Sequence, residues 1–140
     1  MEKIWLKSYP PGVPAEINPD AYQSLIEIFD QSCQKYSNDP AFYNMGVVLT
    51  YKQIDHYSRQ FAAFLQNNLK MKKGDRFAIM LPNTLQYPIA LFGAIRAGLV
   101  VVNVNPLYTA DELTYQLNNA GVTTILALTN FARPTMTLMA

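Results

Sequence analysis

Few residues in this 140-residue chain have the types and spacing that chemistry needs. It carries one histidine, His56, and one cysteine, Cys33. A metal centre wants three or four ligands at close spacing, and His56 has no second histidine or cysteine near it. It reads as a solvent-facing helix residue. Cys33 has no partner for a disulfide and no evident activating group, so it reads as a small core residue. Phosphate binding in a dinucleotide fold needs Gly-x-Gly-x-x-Gly after a strand. Here Pro82-Asn83-Thr84 occupies that place and the next glycine is Gly93. The Gly-Lys-Ser/Thr of a P-loop is also missing from the sequence. Asn83, Asn105 and Asn130 each follow an apolar run, where open α/β sheets bind ligands, but asparagine is equally at home in caps and turns. No residue is therefore assigned a catalytic, cofactor-binding or metal-binding role.

The elements that would position a site are clearer. Arg76–Leu81, Leu99–Val104 and Val122–Leu128 are short apolar runs without polar alternation. Such runs suit strands of a parallel sheet covered by helices on both faces. Asn83–Ala97 and Ala110–Ala120 lie between them and are long enough to be crossover helices. The second opens on the capping box Thr109-Ala-Asp-Glu112 and closes at Gly121, and Leu113, Leu117 and Ala120 should pack on the sheet. Gly98 should end the first.

Upstream, Ser24-Leu-Ile-Glu27 and Thr50-Tyr-Lys-Gln53 are two further capping boxes, where a hydroxyl accepts from the third helical amide and the Glu or Gln reaches back. The first helix should bury Leu25, Ile28, Phe29, Cys33 and Tyr36. The second carries Ile54, Tyr57, Phe61, Leu65 and Leu69 on one stripe, with Lys70, Lys72 and Lys73 placed to complement its C-terminal dipole. Ala41–Met45 and Val47–Thr50 flank Gly46 as a β-hairpin. The expected fold is α/β: a partial, open, mainly parallel sheet with flanking helices, preceded by a Pro-rich arm, a helix and the hairpin. Residues 1–20 hold four prolines and form the arm, with Trp5 and Leu6 as its anchors. Residues 21–132 form the α/β subdomain, and 133–140 an atypical tail in which the fold breaks off.

Half of the residues are apolar and 15% are charged, against about 25% in an ordinary soluble domain, so part of the surface should normally be covered by protein. A net charge of +1 with no run of like charges leaves nucleic acid no electrostatic footprint. Met1–Pro10 lacks the apolar core of a signal peptide, and Pro88–Val104 is too interrupted to span a bilayer. A soluble chain is expected, and the lone cysteine suits a reducing compartment.

Two stretches carry a resemblance. Leu49-Thr-Tyr-Lys-Gln-Ile54 resembles the first core motif of the adenylate-forming, acyl-CoA synthetase-like superfamily, and Ala94-Ile-Arg-Ala-Gly-Leu-Val-Val-Val-Asn-Val-Asn-Pro106 its second. More narrowly, Val13–Pro19, Leu85–Gly93 and Val102–Thr109 resemble the bacterial long-chain fatty acid–CoA ligases, and the likeness runs from about Met1 to Ala132. It implies an enzyme that adenylates a fatty acid with ATP and Mg²⁺ and then transfers the acyl group to coenzyme A. In that family the phosphate loop, the ribose-binding acid and the catalytic lysine come later in the chain. The resemblance therefore implies the N-terminal fragment of such a ligase, inactive alone and without ATP, Mg²⁺ or coenzyme A of its own. Its partners would be the remainder of the ligase and, through uncovered surface, other copies of itself. Its place would be cytoplasmic, with peripheral contact to the inner membrane open to the full-length enzyme. The alternative is a free-standing flavodoxin-like binding or interaction module.

Overall fold

The computed structural model describes residues 2–131, so the tail at 133–140 lies outside it. Three parallel strands carry the fold: β3 (Arg76–Met80) lies between β4 (Val100–Asn103) and β5 (Thr124–Ala127). Phe77 pairs with Val101 on one side and Thr124 on the other. The first connection holds α3 (Gln86–Arg96) and the second α4 (Ala110–Ala120). The order strand, helix, strand, helix, strand is the expected one, with each strand trimmed at its ends.

Residues of β3 alternate between two helix layers. Phe77 and Ile79 pack with Ala62 and Leu65 of α2 (Tyr51–Asn67) and with Ala90 and Ala94 of α3. Ala78 and Met80 face the other way, clustered with Leu113 of α4. Burial on both faces explains why this strand's sequence is continuously apolar. The outer strands β4 and β5 are only partly covered, and Val100 is 49% exposed. Small side chains let α3 lie close on α2. At the crossing, a Cβ on Gly93 would stand 2.8 Å from Phe61 Cδ1 and 3.0 Å from the Ser58 carbonyl oxygen.

A second, smaller unit precedes the sheet. It consists of α1 (Leu25–Lys35) and an antiparallel hairpin of β1 (Pro40–Asn44) and β2 (Val47–Thr50). Met45 and Gly46 turn the hairpin with φ of 48° and 82°, the doubly positive geometry that matches strand twist. Its core is thin: Phe29, Cys33 and Ile54 are buried, with Leu49, Ile89 and Phe92 packed around them.

Several expectations need correction. Leu25 and Ile28 remain 66% and 37% exposed, and Tyr36 is exposed as well, so α1 covers only part of its apolar stripe. On α2, Ile54 and Leu65 are buried and Phe61 is half-buried, whereas Tyr57 and Leu69 face solvent. Helix α2 ends at Asn67, before the three lysines. Its capping turn is closed by Lys70 in the left-handed region at φ 56°, so those cations do not sit in the last helical turn. The arm contains a 3₁₀ turn at Ile4–Ser8, and Trp5 is half exposed instead of anchored. Helix α3 begins at Gln86, three residues later than expected, because Pro82–Leu85 forms a separate turn in which the Tyr87 amide donates to the Thr84 carbonyl.

Candidate functional site

Caps set the helices that matter here. Thr50 accepts from the Gln53 amide while the Gln53 side chain accepts from the Thr50 amide, and Thr109 and Glu112 repeat the arrangement. At α1, Ser24 accepts from the Glu27 amide, but the Glu27 carboxylate reaches one residue further back, to the Gln23 amide. These caps fix the register of α1 and α2, which brings Asp30, Asp55 and Ser58 to one level of the bundle.

At that level they meet Arg96, in the last turn of α3. Its Nη2 donates to Asp30 Oδ1 at 2.5 Å and to Asp55 Oδ1 at 2.5 Å, and its Nε donates to Ser58 Oγ at 3.2 Å. Only 8% of the Arg96 side chain is exposed. Below it lies the Phe29 ring, 5.1 Å from the guanidinium carbon, and Phe29 stacks in turn on Phe92 at 3.7 Å. Arg59 closes the node from the solvent side, 3.0 Å from Asp55 and 3.5 Å from Asp30, and its hydrogen bond to Asp55 holds its pKa up. A guanidinium suits this position because its planar fork serves several acceptors at once. The node joins Arg96, inside the second resembling motif, to Asp55, the residue directly after the first.

Sequence reasoning missed this node. A signal existed: Arg96 is the one charge inside the apolar run Pro88–Val104, and Asp55 and Arg59 stand four apart on α2. The pairings with Asp30 and Asp55 span 66 and 41 residues, which no local pattern reveals.

The residues weighed from sequence do not converge. Cys33 is buried beside the node, where burial, followed by the Asp55 charge, pushes its thiol up to about 11, away from the reactive thiolate. His56 is exposed on α2, and no group of three potential ligands that could hold a metal stands among the described residues. Asn83 lends its carbonyl to the Asn44 side chain at 3.0 Å, Asn105 accepts from the Leu107 amide two residues on, and Asn130 is exposed in a 3₁₀ turn. The local turn role holds for Asn105, while Asn83 takes part through its backbone carbonyl in a contact with the hairpin 39 residues away.

Neither helix start at the carboxyl end of the sheet fits a nucleotide phosphate. At α3 the loop has no glycine, and Pro88 removes an amide from the first turn. At α4 the place an anion would take is held by Glu112, whose carboxyl is kept below its ordinary range by the Thr109 amide and hydroxyl. Asp111 adds a second negative charge in that turn. No chemical step is therefore derived through ATP or coenzyme A on these residues. Among the described residues no helix is long and apolar enough to cross a membrane.

Comparison with known proteins gives a consistent picture. The chain is 58% identical over 132 residues to the long-chain-fatty-acid–CoA ligase of Salmonella typhimurium, covering 94% of this chain and 24% of that protein. The chain thus spans about a quarter of the length of the curated relatives it matches. Among solved structures, the Klebsiella oxytoca NpsA N-terminal subdomain superposes with a TM-score of 0.72 at 25% identity, over 76% of this chain and 28% of that one. A benzoate CoA ligase from Burkholderia xenovorans superposes with a TM-score of 0.76 at 21% identity, over 81% and 23%, a likeness of fold alone. The family model for AMP-binding enzyme matches residues 29–138, and the chain belongs to that family.

Proposed function

We propose that this chain is the N-terminal part of a long-chain fatty acid–CoA ligase and serves that enzyme as scaffold. The observation that carries the reading is the 58% identity maintained over 94% of the chain. The whole enzyme would adenylate a fatty acid with ATP and Mg²⁺ and pass the acyl group to coenzyme A. The present residues would supply a parallel three-stranded layer with helices on both faces, against which the catalytic remainder folds. Residues 21–132 form the unit that packs there, and residues 1–20 the arm that lies over it. The reading carries a cytoplasmic location, with any contact to the inner membrane left to the full-length enzyme.

Surfaces for that remainder are at hand. The strand edges of β4 and β5 have no neighbour among the described residues, and Tyr43, Val47 and Val48 of the hairpin are exposed. Uncovered edges and apolar patches also favour association between copies of the isolated chain. A chimera tests the scaffold role: residues 1–132 replace the matching stretch of the Salmonella typhimurium ligase, and acyl-CoA formation is assayed. We expect activity to survive. A folded chimera that forms no acyl-CoA would overturn the reading.

A further inference from the structure

We infer that Arg96 is a latch that holds α1 on the body of the chain, and that α1 opens as a separate strap when the latch is broken. This inference rests on the chain's own contacts and stands independently of the proposed ligase. Three helices meet at the Arg96 guanidinium: α1 through Asp30, α2 through Asp55 and Ser58, and α3 through its own backbone. Arg59 is the other cation facing Asp30, at 3.5 Å, and 57% of its side chain is exposed to screening solvent. Beyond the node, α1 is fastened by the Phe29–Phe92 stack and by Ile26, partly buried on the same small cluster. Only Phe29 and Cys33 of its residues are buried, while Leu25 and Ile28 turn an apolar flank to solvent.

The attachment is also lopsided. Behind the C-terminal end of α1, the Ser37 carbonyl accepts from the Lys52 amide at 2.9 Å and the Asp39 carbonyl accepts from the Tyr51 amide at 3.2 Å. These two bonds tie the following turn to the start of α2 and form a natural hinge. The hydrogen bonds that bind β3 to β4 and β5 lie wholly outside the strap. Opening about Ser37–Asp39 would lift Phe29 from Phe92 and expose Cys33, and leave the sheet intact. Elements with few buried contacts open below the global unfolding limit, so a single charged clamp can set the opening frequency of α1. Hydrogen bonds to charged groups are the stronger ones, which is why one residue suffices.

Hydrogen exchange on the full 140-residue chain tests the latch, with amides of residues 25–35 compared to those of 76–80 in Arg96→Met and Asp30→Asn. Asp30→Asn leaves Arg96 paired with Asp55 and replaces the strap's carboxylate by a neutral acceptor, so it removes the charge of the strap's contact alone and decides the matter if Arg96→Met does not fold. We expect exchange in α1 to rise about tenfold (about 1.4 kcal/mol) while β3 amides change less than about twofold. Alkylation of Cys33 should accelerate by the same factor as α1 exchange. Unchanged α1 exchange in Asp30→Asn would overturn the inference, and so would equal acceleration of α1 and β3, which would mean that the chain opens only as a whole.

Discussion

The contact between α2 and α3 offers a sharp test of packing because two effects of one methyl group oppose each other. Gly93 lies in the interior of α3, where alanine is favoured over glycine by about 1 kcal/mol on helix propensity alone. Against this, the added Cβ would meet Phe61 Cδ1 at 2.8 Å, the Ser58 carbonyl oxygen at 3.0 Å and Phe61 Cβ at 3.1 Å. Two of these neighbours cannot swing aside, one being backbone and one the root of a half-buried ring. Overpacking of this kind costs roughly 1–3 kcal/mol. Taking the middle of that range, Gly93→Ala should destabilise the chain by about 1 kcal/mol. With a urea m-value of about 2 kcal/mol/M, the midpoint falls by about 0.5 M. Helical circular dichroism is the suitable probe, since Trp5 lies half exposed on the arm and reports little of the core. Trimming the ring by Phe61→Leu should reduce the penalty, and a double-mutant cycle reads that coupling directly. An unchanged or higher midpoint for Gly93→Ala would refute the close crossing, because propensity would then be acting without opposition.

Three further outcomes follow from the caps and the buried thiol. Thr50→Ala should cost roughly 1 kcal/mol by leaving the Gln53 amide at the start of α2 without its acceptor, and an unchanged urea midpoint would count against that cap. Cys33, held up to about 11 from the ordinary 9.0, stabilises the fold in full below pH 9, and that contribution fades as pH rises from 9 toward 11 because the unfolded thiol ionises first. A Cys33→Ala variant should lose less stability than the parent over that interval in alkaline melts. Glu112 has a lowered folded pKa, so its contribution is present above its ordinary 4.5 and disappears as pH falls through the folded value. Melting curves of Glu112→Gln and the parent should converge on acidification, and a constant gap would argue against an ionised cap.

The sheet was legible in the sequence because β3 is buried on both faces, which makes Arg76–Leu81 almost continuously apolar. Helices α2 and α4 announced themselves through caps whose partners lie three residues apart. Periodicity names the apolar face of a helix without showing that anything covers it, and Leu25, Ile28, Tyr57 and Leu69 proved exposed for that reason. The Arg96 node stayed hidden because its pairs form only after α1, α2 and α3 have packed. The asparagines at the strand ends were ambiguous in sequence, and the structure resolves Asn105 as a turn-former through its bond to the Leu107 amide.

The central claim is that these residues hold a scaffold whose chemistry resides elsewhere. Fatty-acid-dependent exchange of labelled pyrophosphate into ATP measures it most directly, with the purified chain run beside a matched blank. Adenylation needs amides, cations and Mg²⁺ set around the departing pyrophosphate. At the start of α4 that position faces the carboxylates of Asp111 and Glu112. The account predicts exchange no greater than the blank. Robust exchange by the chain alone, abolished by a substitution within it such as Asn105→Ala, would contradict it.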